Sequence, residues 1–444
     1  MEGPSVRPSS SETEVQATEV TPLCKSNANE HADVWTWRDT RLFAGLIAWI
    51  MASIGVVYAW GPLLAAFEAD EHMSWTAQHT AIMSTVGGVL EASGIGLAGP
   101  IADYLQAERV VAFLSVFSSL SVLVCSILTA PWHIIMLLCL VGFCKGLLWP
   151  TISAIVGANL HEGKHDYIFA LCALSSRSGD VLSASLLGAF MKQAGDSWRH
   201  ALQKYIALCI ALFIAVILIV PKDLAAPGDS QFSVRGLTGK IPALLRNFNA
   251  WLTFGCLCGT YTVWSLVVYT NVFLVDLYNI HPGSAATYTA AMPFGSTLGL
   301  VTVLITRATL GRNYGRTAQV LQTLVGVGFA VALAISRPSL NATLIGYAMI
   351  GWAFSAAAYL PLMIFGASSE AQSRAFNISV LDCTASLLFM SGTNYAIGRY
   401  RTVASDPWQV AVTMYSWNAL GLLGSALSMG WLYLRIADND ISGK

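Results

Sequence analysis

The sequence predicts an all-α membrane protein, with twelve transmembrane helices in two six-helix bundles. Three observations predict it. The 444 residues are 55% hydrophobic and 11% charged, with a mean hydropathy of +0.59, whereas a soluble chain carries about 25% charged residues. Apolar segments long enough to cross a bilayer recur as six, a polar break, and six more. Lysine and arginine then divide unequally between the two sets of loops.

Taken in order, residues 1–41 hold few large apolar side chains and no hydrophobic core region. They read as a disordered cytoplasmic tail and not as a signal peptide. A window of about 19 residues then finds spans at 42–67, 77–98, 109–130, 132–158, 167–194 and 201–221, which make an N-terminal bundle over 42–221. Residues 222–249 are the longest polar interval inside the chain and carry Pro and Gly, so they read as a cytoplasmic linker. A C-terminal bundle over 250–436 follows, with spans at 250–275, 285–306, 317–336, 340–366, 374–398 and 407–435; residues 437–444 form a tail.

Orientation follows from the basic residues. With both termini cytoplasmic, that side receives sixteen lysines and arginines and the other side six; Lys145 and Arg177, inside the membrane, complete the 24. Eleven or thirteen spans would put the termini on opposite faces and break this partition. The chain is thus expected to be a multi-pass integral membrane protein, in a plasma or an organelle membrane.

Composition also excludes function classes. A net charge of −1 offers no basic face for nucleic acid. Eight of the nine cysteines are spread along apolar segments, with only Cys256 and Cys258 close together, so neither a metal site nor a disulfide framework is expected. No G-x-x-x-x-G-K-[ST] loop is present for nucleotide drive, and neither His-x-x-x-His nor Gly-x-Ser-x-Gly stands at depth for an enzyme. The expected partners are the lipid bilayer and a small molecule, with the chain a monomer and no cofactor.

The informative residues are charges at mid-depth. Lys145 lies 17 residues before Glu162, at the centre of the turn between spans four and five, and Arg177 lies 15 after it. At 1.5 Å per residue both sit roughly 22–26 Å from that turn on neighbouring helices. Glu91, Asp180 and Asp382 are also deep, and Asp180 follows Arg177 at the i+3 spacing where helix side chains meet. These five charges form either an internal ion-pair network or a site. In the second case Lys145 or Arg177 holds an anion, and Glu91 or Asp382 carries a proton. A guanidinium grips a phosphate or carboxylate through two parallel bonds, while an ammonium acts as a point charge. Trp149, Tyr261, Trp264 and Tyr359 are aromatic candidates to pack against the rest of a substrate. In the second span, Ala92 and Gly96 follow the small-xxx-small spacing that lets helices approach closely.

The six-and-six layout resembles the major facilitator superfamily, and "GPIADYLQAER" (99–109) is similar to its cytoplasmic loop signature through Gly99, Asp103 and Arg109. Within it, "KGLLWP" (145–150), "SSRSGDVLSASLLG" (175–188) and "WRHAL" (198–202) resemble the organophosphate:phosphate antiporters and their sugar-phosphate exchanger branch. "GVVYAWGPLLAAF" (55–67) resembles the first span of oxalate:formate and monocarboxylate transporters. The resemblance implies a secondary active transporter moving a small organic anion, a sugar phosphate or similar organophosphate, by alternating access with exchange or proton coupling. A monocarboxylate or dicarboxylate carrier is the alternative, and a non-transporting nutrient sensor on the same scaffold is the alternative of another class. Spans one and seven carry no arginine at depth (Val263 occupies the aligned position), so a phosphate grip would rest on Lys145 and Arg177.

Overall fold

The computed structural model describes the backbone of residues 36–105, 107–160, 165–193, 195, 197–220, 241–368 and 371–442. Side chains at 99, 100, 102–105, 154, 157, 158, 165–167, 312, 313, 359–368, 371–376 and 436–442 lie outside that description. Most of the expected tail and linker therefore falls outside the described residues.

Helices make up the described secondary structure, as a bilayer requires of a chain with no water to satisfy its backbone. The first passage is α1 (Trp37–Val57), continued through a 3₁₀ turn (Gly61–Leu63) into α2 (Leu64–Ala69). Then come α3 (Ala77–Leu105), α4 (Ala107–Cys125), α5 (Pro131–Asn159), α6 (His165–Gln193) and α7 (Trp198–Ile219). A short α8 (Ile241–Arg246) leads into α9 (Phe248–Tyr278). Next, α10 (Pro282–Tyr288) feeds α11 (Ala291–Ile335), which Gly311 divides into passages eight and nine. Last are α12 (Leu340–Ser368), an eleventh passage built from α13 (Ala371–Ala385), a π turn (Ser386–Met390) and α14 (Ser391–Val403), and α15 (Pro407–Ser442). Gly311 takes φ +72° and ψ −178°, a region essentially closed to residues with a Cβ.

Among the described residues, ten helices are long and apolar enough to cross a membrane. The two other passages, His165–Gln193 and Ala371–Val403, are the ones that hold Arg177, Asp180 and Asp382. Those charges themselves dilute the hydropathy there.

Several expected boundaries move. The first helix starts at Trp37, five residues before 42, and the Arg41 Nε–H donates to the Ile219 carbonyl at 3.0 Å, tying it to the end of α7. The end of the expected linker is helical in α8, and α15 runs past 436 to Ser442. Gly99 and Asp103, expected in a loop, sit on the helical backbone of α3, and an exposed Arg109 is in the first turn of α4. A helix leaving the bilayer keeps its internal hydrogen bonds, and Ile101–Leu105 offer no residue that opposes helix. The side chain of Asp103 lies outside the described residues.

Close approach of α3 and α5 depends on glycine. A Cβ on Gly146 would fall on the carbonyl oxygen of Glu91 and 2.8 Å from the Ile95 nitrogen, both backbone atoms that cannot swing aside. The expected small-residue contact is thus made by Gly146, while Gly96 faces Cys383, its Cβ position 3.4 Å from that sulfur. Gly146→Val is expected to destabilise the protein by about 1–3 kcal/mol, read as a lower unfolding temperature in detergent. An unchanged unfolding temperature would mean that the two helices do not lie this close.

At the face opposite Trp37, Asp70 links three segments. It accepts from the Trp198 indole at 2.8 Å, from Arg199 at 3.2 Å and from the His72 backbone N–H at 3.0 Å. Partial burial pushes its carboxyl up, but those hydrogen bonds and the Arg199 charge outweigh burial and hold it below the usual carboxylate value. A depressed folded value means stability present at neutral pH and lost as pH falls through it. The unfolding-temperature gap between wild type and Asp70→Asn is therefore expected to hold from pH 8 to about 4 and to close below. A gap that widens on acidification would contradict this.

Candidate functional site

Helix packing brings the mid-depth charges to one place. Gly146 seats α5 directly on the backbone of Glu91, and the neighbouring Lys145 reaches across to form an ion pair with the Glu91 carboxylate. Pro150, four residues beyond Gly146, cannot donate to the Gly146 carbonyl, so the helix is loosened beside Lys145. Both side chains of the pair line a narrow cavity between the first six and the last six passages, together with Tyr58, Trp60 and Trp264. Their side-chain exposures of 11% and 14% show a pair withdrawn from bulk solvent yet on the wall of a cavity.

The ammonium of Lys145 stands over two rings, 4.2 Å from the centroid of Tyr58 and 5.0 Å from that of Trp264. Arg177 shares the second ring. Its guanidinium lies 4.7 Å from Trp264 and 5.7 Å from Phe354, and Nη1 donates to Asp180 Oδ2 at 3.0 Å. One tryptophan from α9 thus carries two cations of the N-terminal bundle, each by the attraction of a positive charge to a π face. A second cavity shares Tyr58, Trp60 and Val268 with the first and is lined by Asp180.

The third carboxylate completes the cluster. Tyr261 donates its hydroxyl to Asp382 Oδ1 at 2.6 Å. Lys145 is in electrostatic reach of Asp180 and Arg177 as well as Glu91, and Lys145 and Glu91 both reach Asp382. The five deep charges, three negative and two positive, are therefore linked through Lys145 and Glu91. Each cation has a carboxylate partner.

Two aromatic candidates fare differently from Trp264 and Tyr261. Trp149 packs against the apolar cluster of Leu148, Ile152 and Cys172, and is not one of the residues lining either cavity. Proline one residue later and an apolar neighbourhood turn that stretch of α5 into packing surface. The side chain of Tyr359 lies outside the described residues. Tyr58 and Asn394, which line the first cavity, were missed, because an aromatic or a small polar residue in an apolar run carries no sequence mark of facing a cavity.

The two halves are joined at the face opposite Trp37. Arg401 at the end of α14 clasps Glu68 of α2 with two parallel bonds of 2.7 Å, and also bonds Asp276 of α9 at 2.9 and 3.1 Å. Thr80 donates to the same Glu68 at 2.7 Å. Beneath this clasp, the Ala65 N–H donates to Asn271 Oδ1 at 2.8 Å, and the hydroxyls of Ser84 and Tyr269 are 2.9 Å apart. A bidentate guanidinium–carboxylate pair is among the strongest and most directional polar contacts available.

Comparison with known proteins agrees with this architecture. The chain is similar to the inward-facing, unoccupied structure of a bacterial homolog of the human lysosomal transporter Spinster, at 14% identity over 90% of this chain and 96% of that one, with a TM-score of 0.63. It is likewise similar to the nucleoside transporter NupG, at 14% identity over 87% of this chain and 98% of that one, with a TM-score of 0.63. At such identities the likeness is one of fold alone. No curated protein matches the sequence. Residues 39–393, most of the twelve passages and all five deep charges, match the model of one family. The chain belongs to the Major Facilitator Superfamily.

Proposed function

We propose that the chain is a secondary active transporter of a small organic anion, a sugar phosphate or similar organophosphate, moved by alternating access. The observation that carries this reading is Lys145, an ammonium at mid-depth on the cavity wall where the two bundles meet. An anion entering the cavity competes with Glu91 for that ammonium. Three carboxylates against two cations leave one excess negative charge, and a carboxylate released from its cation is a proton acceptor, which favours movement of a proton with the anion. The clasp of Arg401, Glu68 and Asp276 supports a state closed at the face opposite Trp37. With the termini cytoplasmic, as the lysine and arginine partition supports, the substrate in this state exchanges with the cytoplasm.

The test is counterflow into liposomes containing purified protein. Labelled glycerol phosphate is expected to accumulate against unlabelled glycerol phosphate or hexose phosphate inside, and lactate inside is expected to drive it poorly. Accumulation driven by lactate or oxalate but not by phosphate esters would move the head group to a carboxylate. No counterflow with any of these anions would reject the anion carrier.

A further inference from the structure

One wall of the cavity belongs to a helix that changes its register. Between α13 and α14, Ser386–Met390 form a single π turn, and the Ser391 N–H bonds the Ser386 carbonyl five residues back. Such turns are rare, and they concentrate at functional sites because the extra residue shifts side chains and carbonyls out of their usual alignment. The serine hydroxyls display this shift. Many helical hydroxyls of the bundle donate to the carbonyl four residues before them, as Thr151 does to Leu147, Thr384 to Val380 and Ser416 to Val412. Ser391, 4% exposed, has a hydroxyl with no hydrogen-bond partner among the described residues.

Three residues further on, Asn394 lines the same cavity as Lys145 and Glu91. It is 2% exposed, its Nδ2 donates to the Ser84 carbonyl at a long 3.5 Å, and its Oδ1 has no partner among the described residues. Gly87 and Gly88 of α3 face this wall without side chains; a Cβ on Gly88 would stand 2.8 Å from the Ser391 hydroxyl. A buried polar atom left unpaired costs roughly 1–3 kcal/mol. Asn394 lines the cavity and Ser391 stands one turn before it, beside the lining residue Gly88, and neither polar atom has a partner among the described residues.

We propose that Asn394 and Ser391 form a polar subsite for hydroxyl groups of the carried anion, so that the substrate is a hydroxylated anion, such as a sugar or polyol phosphate or a hydroxy acid, and not an alkyl phosphate or a plain carboxylate. This rests on the anion-carrier reading above. Asn394 Oδ1 accepts one hydrogen, and the Ser391 hydroxyl both accepts and donates, which matches the donor and acceptor character of an alcohol. An alkyl chain in the same place leaves both atoms unpaired. A site built for a hydroxyl rejects analogues that lack it far more strongly than an apolar pocket rejects a missing methylene.

Calorimetric titration of the purified full chain with two matched pairs tests this: glycerol phosphate against propyl phosphate, and glycerate against propionate. The wild type is expected to prefer the hydroxylated member of a pair by about tenfold or more. In Asn394→Leu that preference is expected to fall to about twofold or less with the affinity for the deoxy member retained, and Ser391→Ala, a smaller change to the fold, is expected to lower it partway. Equal binding of both members by the wild type overturns the subsite and leaves the anion reading standing. A full preference surviving in both variants also overturns the subsite. Binding of none of the four probes by the wild type overturns the anion reading, and the subsite with it.

Discussion

Lys145→Ala is expected to abolish uptake by the reconstituted protein, with a loss of about 100-fold or more. Two effects add. The anion loses a charge-assisted contact, which contributes about 1.5–3 kcal/mol. Glu91 is left on the cavity wall with no cation, and removing one member of a buried pair costs about 3–5 kcal/mol. The two rings beneath the ammonium, Tyr58 and Trp264, lose their cation as well. Arg177 does not take over, because its Nη1 is engaged with Asp180 and its plane lies over Trp264 and Phe354. Radiolabelled anion uptake in liposomes measures the loss, with size-exclusion profiles confirming that the variant is folded. Uptake within about threefold of wild type would remove Lys145 from the site.

Arg401→Ala is expected to open the face opposite Trp37. The substitution removes four hydrogen bonds and leaves the carboxylates of Glu68 and Asp276 facing each other across the two halves. Breaking a half-buried network of this kind costs about 3–5 kcal/mol, and in a two-state carrier that cost falls on the closed state alone. Ser84, 3% exposed and bonded to Tyr269 beneath the clasp, reports the change. In a background without other cysteines, Ser84→Cys is expected to react with a membrane-impermeant thiol reagent at least tenfold faster when Arg401 is Ala. Equal rates in the two backgrounds would mean that the clasp does not hold that face shut. Uptake is expected to fall too, since alternating access requires each face to close in turn.

The layout of the bundle was legible because crossing a bilayer imposes a length and an apolar composition on every passage. Even the two weak passages stood out as spans, although Arg177, Asp180 and Asp382 lower their hydropathy. Boundaries were less legible: Trp37–Arg41 and 437–442 are polar enough to read as tails, yet a helix needs no apolar side chains once it leaves the membrane. The deep charges were legible one by one, and Asp180 could be paired with Arg177 from spacing alone. The Lys145–Glu91 pair could not, since it depends on α5 lying against α3 at Gly146. Nor could the clasp, because Arg401, Glu68 and Asp276 each sit at a span end where a charge looks like ordinary loop solvation. Asn394 and Ser391 were silent for a further reason: a π turn leaves no pattern in sequence.

The most direct measurement is the affinity for glycerol phosphate of three purified proteins: wild type, Lys145→Ala, and Lys145→Ala combined with Glu91→Gln. Binding at equilibrium needs no coupling ion, so the loss of a proton carrier does not confuse it. If the ammonium holds the anion, the single and double variants both bind at least about 100-fold more weakly than wild type, a difference of about 2.7 kcal/mol. If the ammonium serves only to neutralise Glu91, the double variant binds like wild type.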